Sequence, residues 1–206
     1  MKYFLPIHVI FIIFFSNSSF AQVPIHLDTN NLAKGIYANF DEFKYNKPSM
    51  DLDFRLKERI FPNINTFTHT GYSLVTTSGG INLDGIWGVC DGKYVYQLSD
   101  EKTMFTKERW FEKILFLGRY SIFDKLIIGA REGTEGGVYI NSNKVARMFI
   151  SLKTGRTFEL DYNSVFDALE KDPVLLSEYR KDPKNNRKLD FYLKKFAEKY
   201  KNDYQN

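Results

Sequence analysis

The sequence predicts an α+β fold: an antiparallel β-meander or partly closed barrel, with one short N-terminal helix and two to three C-terminal helices. Stretches of alternating apolar and polar residues, typical of half-buried strands, recur between residues 51 and 160. An Asp-Gly pair between two β-prone runs indicates a tight hairpin. After residue 163 the apolar residues change to the spacing of helices.

Length and composition are those of one folded domain. The chain has 206 residues, of which 43% are hydrophobic and 26% are charged, as in globular proteins. The net charge is only +4 and the basic residues are dispersed, so no nucleic-acid partner is expected. Cys90 is the single cysteine of the sequence, which excludes an intramolecular disulfide.

Residues 1–21 have the features of a secretory signal peptide. Lys2 supplies the positive charge, Phe4–Phe15 is an apolar run, and Ser19-Phe20-Ala21 is a small-x-small cleavage pattern before Gln22. The apolar run is shorter than the roughly 20 residues of a membrane-spanning helix, and no cysteine follows it for lipidation. We expect an exported protein, periplasmic or extracellular, not lipidated at this junction and without a transmembrane segment after cleavage. An uncleaved membrane anchor is the alternative.

The remaining chain divides into a short lead-in and one domain. Residues 22–34 are polar and turn-prone, and we expect them to be exposed. Residues 35–206 are predicted to form a single β-rich domain, whose helical C-terminal part covers about 163–202. Near its start, Asn39 is a typical N-cap and Glu42 follows three residues later, as in a capping box.

A predicted hairpin lies at the centre of the sheet, within the stretch that contains both tryptophans. Asp91-Gly92 favours a two-residue type I′ turn, because both central residues need positive φ. That turn pairs Val89 with Tyr94 and Trp87 with Tyr96, and it places all four on one face. The face is either a stacking platform for a sugar or part of the core, and core is the commoner use of clustered aromatic residues.

Further strands are predicted on both sides of this hairpin. Asp51–Ile60 alternates, with Leu52 and Ile60 among the residues that face inward. Phe61–Thr70 contains proline and asparagines and is typical of a loop. The other predicted strands are Tyr72–Thr77, Thr103–Lys107, Arg109–Leu117 (which also fits a helix), Arg119–Phe123, Leu126–Ala130, Val138–Ile140, Val145–Leu152 and Arg156–Leu160, with a glycine-rich loop at Arg131–Gly137.

The C-terminal part carries start signals for helices. Asn163 is a candidate cap for the first helix, and the pairs Asp172-Pro173 and Asp182-Pro183 combine a cap with proline at the first helical position. The last helix has an apolar stripe that needs a surface to pack on, and we expect that surface to be the aromatic hairpin face. The stripe consists of Leu189, Tyr192, Leu193, Phe196 and Tyr200.

Few residues indicate catalysis. The sequence contains no G-x-S-x-G, HExxH or paired Cys/His motif, so no catalytic residue, metal site or cofactor is predicted. A hydrolase would have to use His69 as base, Asp84 or Asp91 to orient it, and Ser73 or Ser121 as nucleophile, or Glu108 with Glu112 as a carboxylate pair.

The candidates for ligand binding are aromatic residues and one arginine. Aromatic rings stack on flat ligands, and an arginine pairs with a carboxylate or phosphate. We therefore favour a non-catalytic binding or envelope-associated protein with a glycan or an envelope protein as partner. A secreted hydrolase with an unrecognised active site is the alternative. The candidate residues are Trp87, Tyr94, Tyr96, Trp110 and Arg119.

Several short phrases resemble small exported proteins of unknown function from Bacteroidetes-type bacteria. None of the phrases is chemically specific, and the resemblance implies no activity, ligand or functional residue. The phrases are Gly35-Ile36-Tyr37, Phe40-Asp41-Glu42-Phe43, Asn46-Lys47-Pro48-Ser49, Gly118-Arg119-Tyr120, Lys153-Thr154-Gly155-Arg156 before Leu160, Leu175-Leu176-Ser177-Glu178-Tyr179 and Leu189-Asp190-Phe191-Tyr192-Leu193.

Overall fold

The computed structural model is an open antiparallel sheet, with the three C-terminal helices packed on β7 and β8 and the short first helix packed in a separate apolar cluster. It describes residues 25, 28–62, 68–77, 81–101, 108–133, 139–182 and 188–202. The strands within these ranges are β1 (Gly35–Tyr37), β2 (Phe54–Pro62), β3 (Thr68–Thr76), β4 (Gly88–Cys90), β5 (Val95–Leu98), β6 (Phe111–Phe116), β7 (Tyr120–Gly133), β8 (Tyr139–Ser151) and β9 (Thr157–Glu159). The helices are α1 (Phe40–Lys44), α2 (Tyr162–Leu169), α3 (Pro173–Lys181) and α4 (Leu189–Lys199).

The sheet is mainly a meander. Its order is β1-β4-β5-β6-β7-β8-β9, and the β2–β3 hairpin joins it through a pairing of β3 with β6. Every pairing is antiparallel. The predicted α+β class with an antiparallel sheet is therefore confirmed, whereas the partly closed barrel is not formed.

Three apolar clusters form the core. The central cluster joins Phe123 of β7 and Ile150 of β8 to Tyr37 of β1, Cys90 of β4 and Phe43 of α1. The helix cluster joins β7 and β8 to the C-terminal helices. The edge cluster draws its buried residues from β1, β2, β4, β5 and β6 and from the loop before β4. Among them are Ile36, Phe54, Val89, Tyr96, Leu98 and Phe111.

The helix starts follow the predicted capping chemistry in part. The Asn39 side chain accepts the backbone N–H of Glu42 at 3.0 Å, as predicted for α1. Asp172 caps α3 with Pro173 in its first turn, also as predicted. The cap of α2 is Asp161 rather than Asn163. No helix in the described part of the chain is long and apolar enough to cross a membrane.

The β2–β3 hairpin is longer than the sequence indicates. Thr68–Thr70, predicted to be loop, belongs to β3 and pairs with Ile60–Pro62 of β2. At this end of the hairpin, Phe61 packs on Trp110, and Ile60 points to the other face of β2. Ile60 is 66% exposed, and Leu52, which precedes β2, is also exposed, although both were predicted to face inward.

The apolar stripe of α4 packs on β7 and β8 and not on the aromatic hairpin. Tyr192, Leu193 and Phe196 lie in the helix cluster with Ile122 and Phe149. The hairpin cannot serve this purpose, because its aromatic residues are already divided between the central and edge clusters.

Some predictions fall partly or wholly outside the described residues. They are the signal peptide at 1–21, the strand Thr103–Lys107 and Pro183 at the third helix start, together with residues 134–137 of the glycine-rich loop. The predicted strands at 119–123 and 126–130 are parts of one strand, β7. In the predicted lead-in, Ile25 is buried in the central cluster, whereas residues 28–31 are exposed.

Candidate functional site

A cavity of about 920 Å³ lies where the two parts of the sheet meet the last helix. Its walls come from β3, β6, β7, β8, Leu160 and the start of α4. This volume is within the range of roughly 300–1,000 Å³ found for small-molecule sites. The cavity is therefore the first candidate for a functional site in the described structure.

The cavity reaches a fork in the sheet. On β6, Phe111 pairs with Tyr72 of β3, and three positions later Ile114 pairs with Phe123 of β7. Glu112 lies between these two pairings. Its side chain therefore meets groups from both strands at the point where they separate.

Both carboxylate oxygens of Glu112 form hydrogen bonds with neighbouring groups. Its Oε1 accepts the indole N–H of Trp110 at 2.8 Å and the backbone N–H of Leu126 at 3.1 Å. Its Oε2 lies 2.7 Å from Nε2 of His69. Glu112 is 1% exposed and His69 is 6% exposed, so these bonds replace the water that the Glu112 carboxylate has lost.

The bonds of Glu112 indicate which nitrogen of His69 carries a proton. The indole and backbone groups can only donate, so Glu112 accepts from both, and an ionised carboxylate is an acceptor at each of its oxygens. Oε2 then accepts from Nε2–H of His69. The other ring nitrogen, Nδ1, forms no hydrogen bond with a described residue, and it is the nitrogen available to a molecule in the cavity.

A glycine allows this arrangement to form. A Cβ atom on Gly71 would lie 2.6 Å from Cδ1 of Trp110 and 2.8 Å from Cε2 of Phe61. The Trp110 and Phe61 rings, with centroids 4.7 Å apart, can therefore pack close to β3 only because residue 71 has no side chain. This packing holds the Trp110 indole where it reaches Glu112.

Further charged residues of the cavity wall come from β7, β8 and α4. Arg147 of β8 donates twice to Asp124 of β7, with Nη2 at 3.2 Å from Oδ2. The hydrogen bond with Asp124 raises the pKa of the Arg147 guanidinium, against the opposing effect of burial. Asp190 in the first turn of α4 accepts from Lys194 at 3.1 Å.

Two lysines complete this wall. Lys113 of β6 has its Nζ 3.3 Å from the centre of the Tyr94 ring, and Lys188 occupies the N-cap position of α4 without a side-chain cap bond. Within the described residues, neither lysine forms an ion pair.

The aromatic candidates do not form one platform. The hairpin loop has four residues and not two, because Val89 pairs with Tyr96 and Cys90 with Val95. Trp87 stacks on Phe43 with ring centroids 4.1 Å apart and packs against the central cluster. The predicted pairings of Trp87 with Tyr96 and of Val89 with Tyr94 are therefore wrong.

Tyr94 and Tyr96 each contact a residue of the cavity wall without lining the cavity. Tyr94 is partly exposed and lies under Lys113. Tyr96 is buried in the edge cluster, packs edge-to-face on Tyr72 at 4.8 Å and donates its hydroxyl to Asp91 at 3.0 Å. Burial, with the nearby Asp91 carboxylate, raises the pKa of Tyr96.

The other two candidates lie apart from these tyrosines. Trp110 is fully buried behind the cavity wall, where it holds Glu112. Arg119 lies over the ring of Phe196, at 5.6 Å from its centre. None of the five candidate residues lines the cavity.

Of the contacts that a hydrolase would need, the described residues form one, between a histidine and a carboxylate. His69 does have a carboxylate partner, but it is Glu112 and not Asp84 or Asp91. Ser121 is fully buried and donates to the carbonyl of Gly118 at 3.2 Å. Ser73 is four positions from His69 on an extended strand, a separation of roughly 13 Å.

Glu108 and Cys90 also contribute nothing to this site. Glu108 pairs with Arg59 at 2.5 Å, whereas Glu112 faces the interior, so the two carboxylates have different partners. Cys90 is buried, and burial raises the pKa of its thiol, which opposes reactivity as a nucleophile.

Comparison with known proteins identifies a family. No curated protein and no solved structure matches the chain. A model described as a family of unknown function, DUF6563, matches residues 35–200, which include β1, α4 and every residue that lines the cavity. The chain therefore belongs to this family of unknown function.

Proposed function

We propose that this protein is an exported binding protein that holds a small ligand in the cavity without catalysing a reaction. The observation that supports this proposal is the imidazole of His69, which is held by a buried carboxylate and has its second nitrogen available at the cavity. The proposed ligand forms a hydrogen bond with Nδ1 and fills part of the cavity.

The physical cost of the His69–Glu112 pair supports a binding role. Burying ionisable groups costs free energy, even when they are paired, and apolar side chains of similar size would stabilise a fold as well or better. A buried ionisable pair beside a cavity is therefore a candidate for function as well as for stability. Here the pair fixes the orientation of one imidazole ring toward the cavity.

Export is proposed from the N-terminal sequence alone. The positive residue, the apolar run and the small-x-small pattern before Gln22 support secretion to the periplasm or beyond. The partner proposed there is a small molecule or a component of the envelope. Mass spectrometry of the protein recovered outside the cytoplasm should give a chain that begins at Gln22. Recovery of an intact N-terminus in a membrane fraction would contradict export with cleavage.

Binding in the cavity can be tested with a substitution that fills it. Leu115 lines the cavity and is 53% exposed, so Leu115→Trp should reduce the volume at little cost in stability. We expect compounds from a fragment library to shift the NMR signals of Thr70, Lys113 and the His69 ring, and these shifts should be lost in Leu115→Trp. The matched control is Val174→Trp, which changes an exposed residue of α3 outside the cavity. If both variants respond like the original protein, the cavity is not the binding site.

Hydrolysis is the second candidate function. His69 has one ring nitrogen, Nε2, held by a carboxylate and the other available. This is the arrangement of a general base with its orienting group, and it favours the second candidate. A water molecule in the cavity would then be the nucleophile. The compounds that bind in the fragment screen, prepared as esters and amides, distinguish the two functions: turnover that is abolished in His69→Asn supports hydrolysis, and binding without turnover supports the first proposal.

A further inference from the structure

We infer that the ligand is a small organic anion, with a carboxylate or phosphate group and an apolar body. The inference rests on the proposed function of the cavity and specifies its ligand. It follows from the charges that line the cavity, from the unpartnered nitrogen of His69 and from the aliphatic part of the wall.

The negative charges of the wall are already compensated. Each of its three carboxylates has a partner that is a cation or an imidazole N–H. Glu112 pairs with His69, Asp124 with Arg147 and Asp190 with Lys194. A cationic ligand would have to compete with these contacts for the carboxylates.

The positive charges of the two lysines are not compensated. Lys113 contacts the Tyr94 ring, which attracts the cation but leaves its charge in place. Lys188 forms no ion pair with a described residue. An anionic group in the cavity would supply the partner that both lysines lack.

The position of Lys188 strengthens this argument. A helix N-terminus carries a partial positive charge, which makes a lysine there unfavourable unless an anion compensates it. The carboxylate of the first turn, Asp190, already accepts from Lys194. The other three helices begin with side chains that accept hydrogen bonds: Asn39, Asp161 and Asp172. At α4 the side chain of the N-cap residue is a cation, and it faces the same cavity as Lys113.

His69 supplies a further group that can bind the ligand, because it lines the cavity and one of its ring nitrogens is not used by Glu112. Its side chain is more than nine-tenths buried, yet Nδ1 has no partner among the described residues. Nδ1 can accept from a protonated oxygen or, when the ring is charged, donate to an anionic one. A singly protonated phosphate offers an O–H that can donate to the neutral ring, whereas a carboxylate can only accept from Nδ1–H of the charged ring.

The aliphatic part of the wall indicates the body of the ligand. A neutral glycan usually packs on aromatic rings, but among the described residues that line the cavity Tyr72 is the only phenol or indole side chain. An aliphatic or aromatic body of modest size fits this wall better than a sugar. The aliphatic lining residues are Leu115, Val145, Leu160 and Leu189.

Three probes with the same phenyl body test the inference: benzoate, phenyl phosphate and benzamide. Each is titrated by NMR into the purified protein at constant ionic strength, with the signals of His69, Lys113 and Leu189 as reporters. We expect at least one of the two anions to bind roughly fivefold or more tightly than neutral benzamide, and the tighter anion identifies the head group. Anions that bind no better than benzamide would overturn the inference.

Lysine variants locate the charge that is recognised. Lys113→Gln and Lys188→Gln should each weaken binding of the preferred anion roughly two- to fivefold, as for partly exposed ion pairs. Lys153→Gln and Lys171→Gln remove the same charge from exposed positions outside the cavity and should change the affinity little. Equal losses in all four variants would contradict recognition by the cavity lysines.

The outcomes separate this inference from the proposed function. If benzamide or a neutral fragment shifts the cavity signals and the anions do not, the cavity binds ligands but the charge assignment is wrong. If neither the probes nor any library fragment shifts them, both proposals are wrong.

Discussion

At the scale of single residues, the cavity depends on Glu112. The sequence placed this glutamate in a stretch that fitted either a strand or a helix, and His69 in a predicted loop. The two are 43 residues apart in the chain, so no local pattern connects them. Only the pairing of β3 with β6, which no local pattern specifies, brings them together. The one signal in the sequence was Gly71, a glycine beside a predicted strand, which can indicate close packing. In the structure its packing partners are Trp110 and Phe61.

Glu112→Gln should change the tautomer of the neutral His69 ring, with its proton on Nδ1 and no longer on Nε2. The new amide oxygen can still accept from Trp110 and Leu126, but its NH₂ group must donate to Nε2 of His69. The neutral ring then carries its proton on Nδ1. Long-range ¹H–¹⁵N correlation at about pH 8.5, above the ordinary histidine pKa of about 6.5, should show Nε2–H in the original protein and Nδ1–H in the variant.

The same substitution should lower the free energy of unfolding by about 1–3 kcal/mol, because hydrogen bonds to a buried charge are replaced by neutral ones. Urea unfolding measures this loss. Glu108→Gln, four residues away, is the control, since its exposed pair with Arg59 should contribute about 0–1 kcal/mol.

In the NMR experiment, an Nδ1–H tautomer of His69 in the original protein would contradict the assignment of Glu112 as the acceptor.

At the scale of elements, local signals predicted helix starts better than strand pairing. Asn39 and Asp172-Pro173 act within one turn, and both caps form as predicted. The register of a hairpin depends on its loop. Asp91 accepts the backbone N–H groups of Lys93 and Tyr94 at 2.8 and 2.7 Å, which favours a four-residue loop over the predicted two-residue turn. The resulting shift of two positions keeps side chains on their faces but changes every cross-strand partner.

The cap of α3 also connects two helices. Asp172 is 1% exposed and accepts the N–H of Leu175 at 3.1 Å and Nζ of Lys199 in α4 at 2.6 Å. Burial alone would raise the pKa of the Asp172 carboxyl, but the hydrogen bonds from Lys199 and Leu175 outweigh it and lower the pKa from 3.8. A lowered folded-state pKa stabilises the fold above the unfolded-state value, and the contribution is lost as the pH falls through the folded-state pKa.

Asp172→Asn should isolate the charge from the cap. Asparagine is as good an N-cap as aspartate, so the variant keeps the bond to Leu175 and loses the ion pair. We expect it to be less stable than the original protein at about pH 7, with a difference that shrinks below about pH 4 as Asp172 becomes protonated. Urea unfolding at several pH values measures the difference.

Two further variants check this explanation. Asp172→Ala should lose about 1 kcal/mol more, because the cap is removed as well. Asp161→Asn, at the cap of α2, changes the same kind of residue at a position with no ion pair to a described residue, and it should have little effect at about pH 7. A constant difference between Asp172→Asn and the original protein over the whole pH range would contradict a role for the ion pair.

At the scale of the whole molecule, the sequence predicted the class of fold but not how its layers face each other. The stripe of α4 was evident from its spacing, yet its docking surface was assigned to the hairpin. That surface is the far side of β7 and β8, where Ile122 and Phe149 alternate with Phe123 and Ile150 of the central cluster. Alternation shows that a strand has two apolar faces, but the layer that covers each face depends on tertiary contacts.

The alternation along β7 and β8 has a consequence for insertions and deletions. Phe149 belongs to the helix cluster and Ile150 to the central cluster, so adding or removing one residue before them in β8 would exchange the layers that they fill. Farther along, the ladder advances three residues on β7, from Ile127 to Ala130, against two on β8. Gly129 lies in this bulge with φ of +70°, a conformation that favours glycine. Changes in chain length are therefore compatible with this fold beyond Gly129, toward the tip of the hairpin, and not in the part of the strands that separates the two layers.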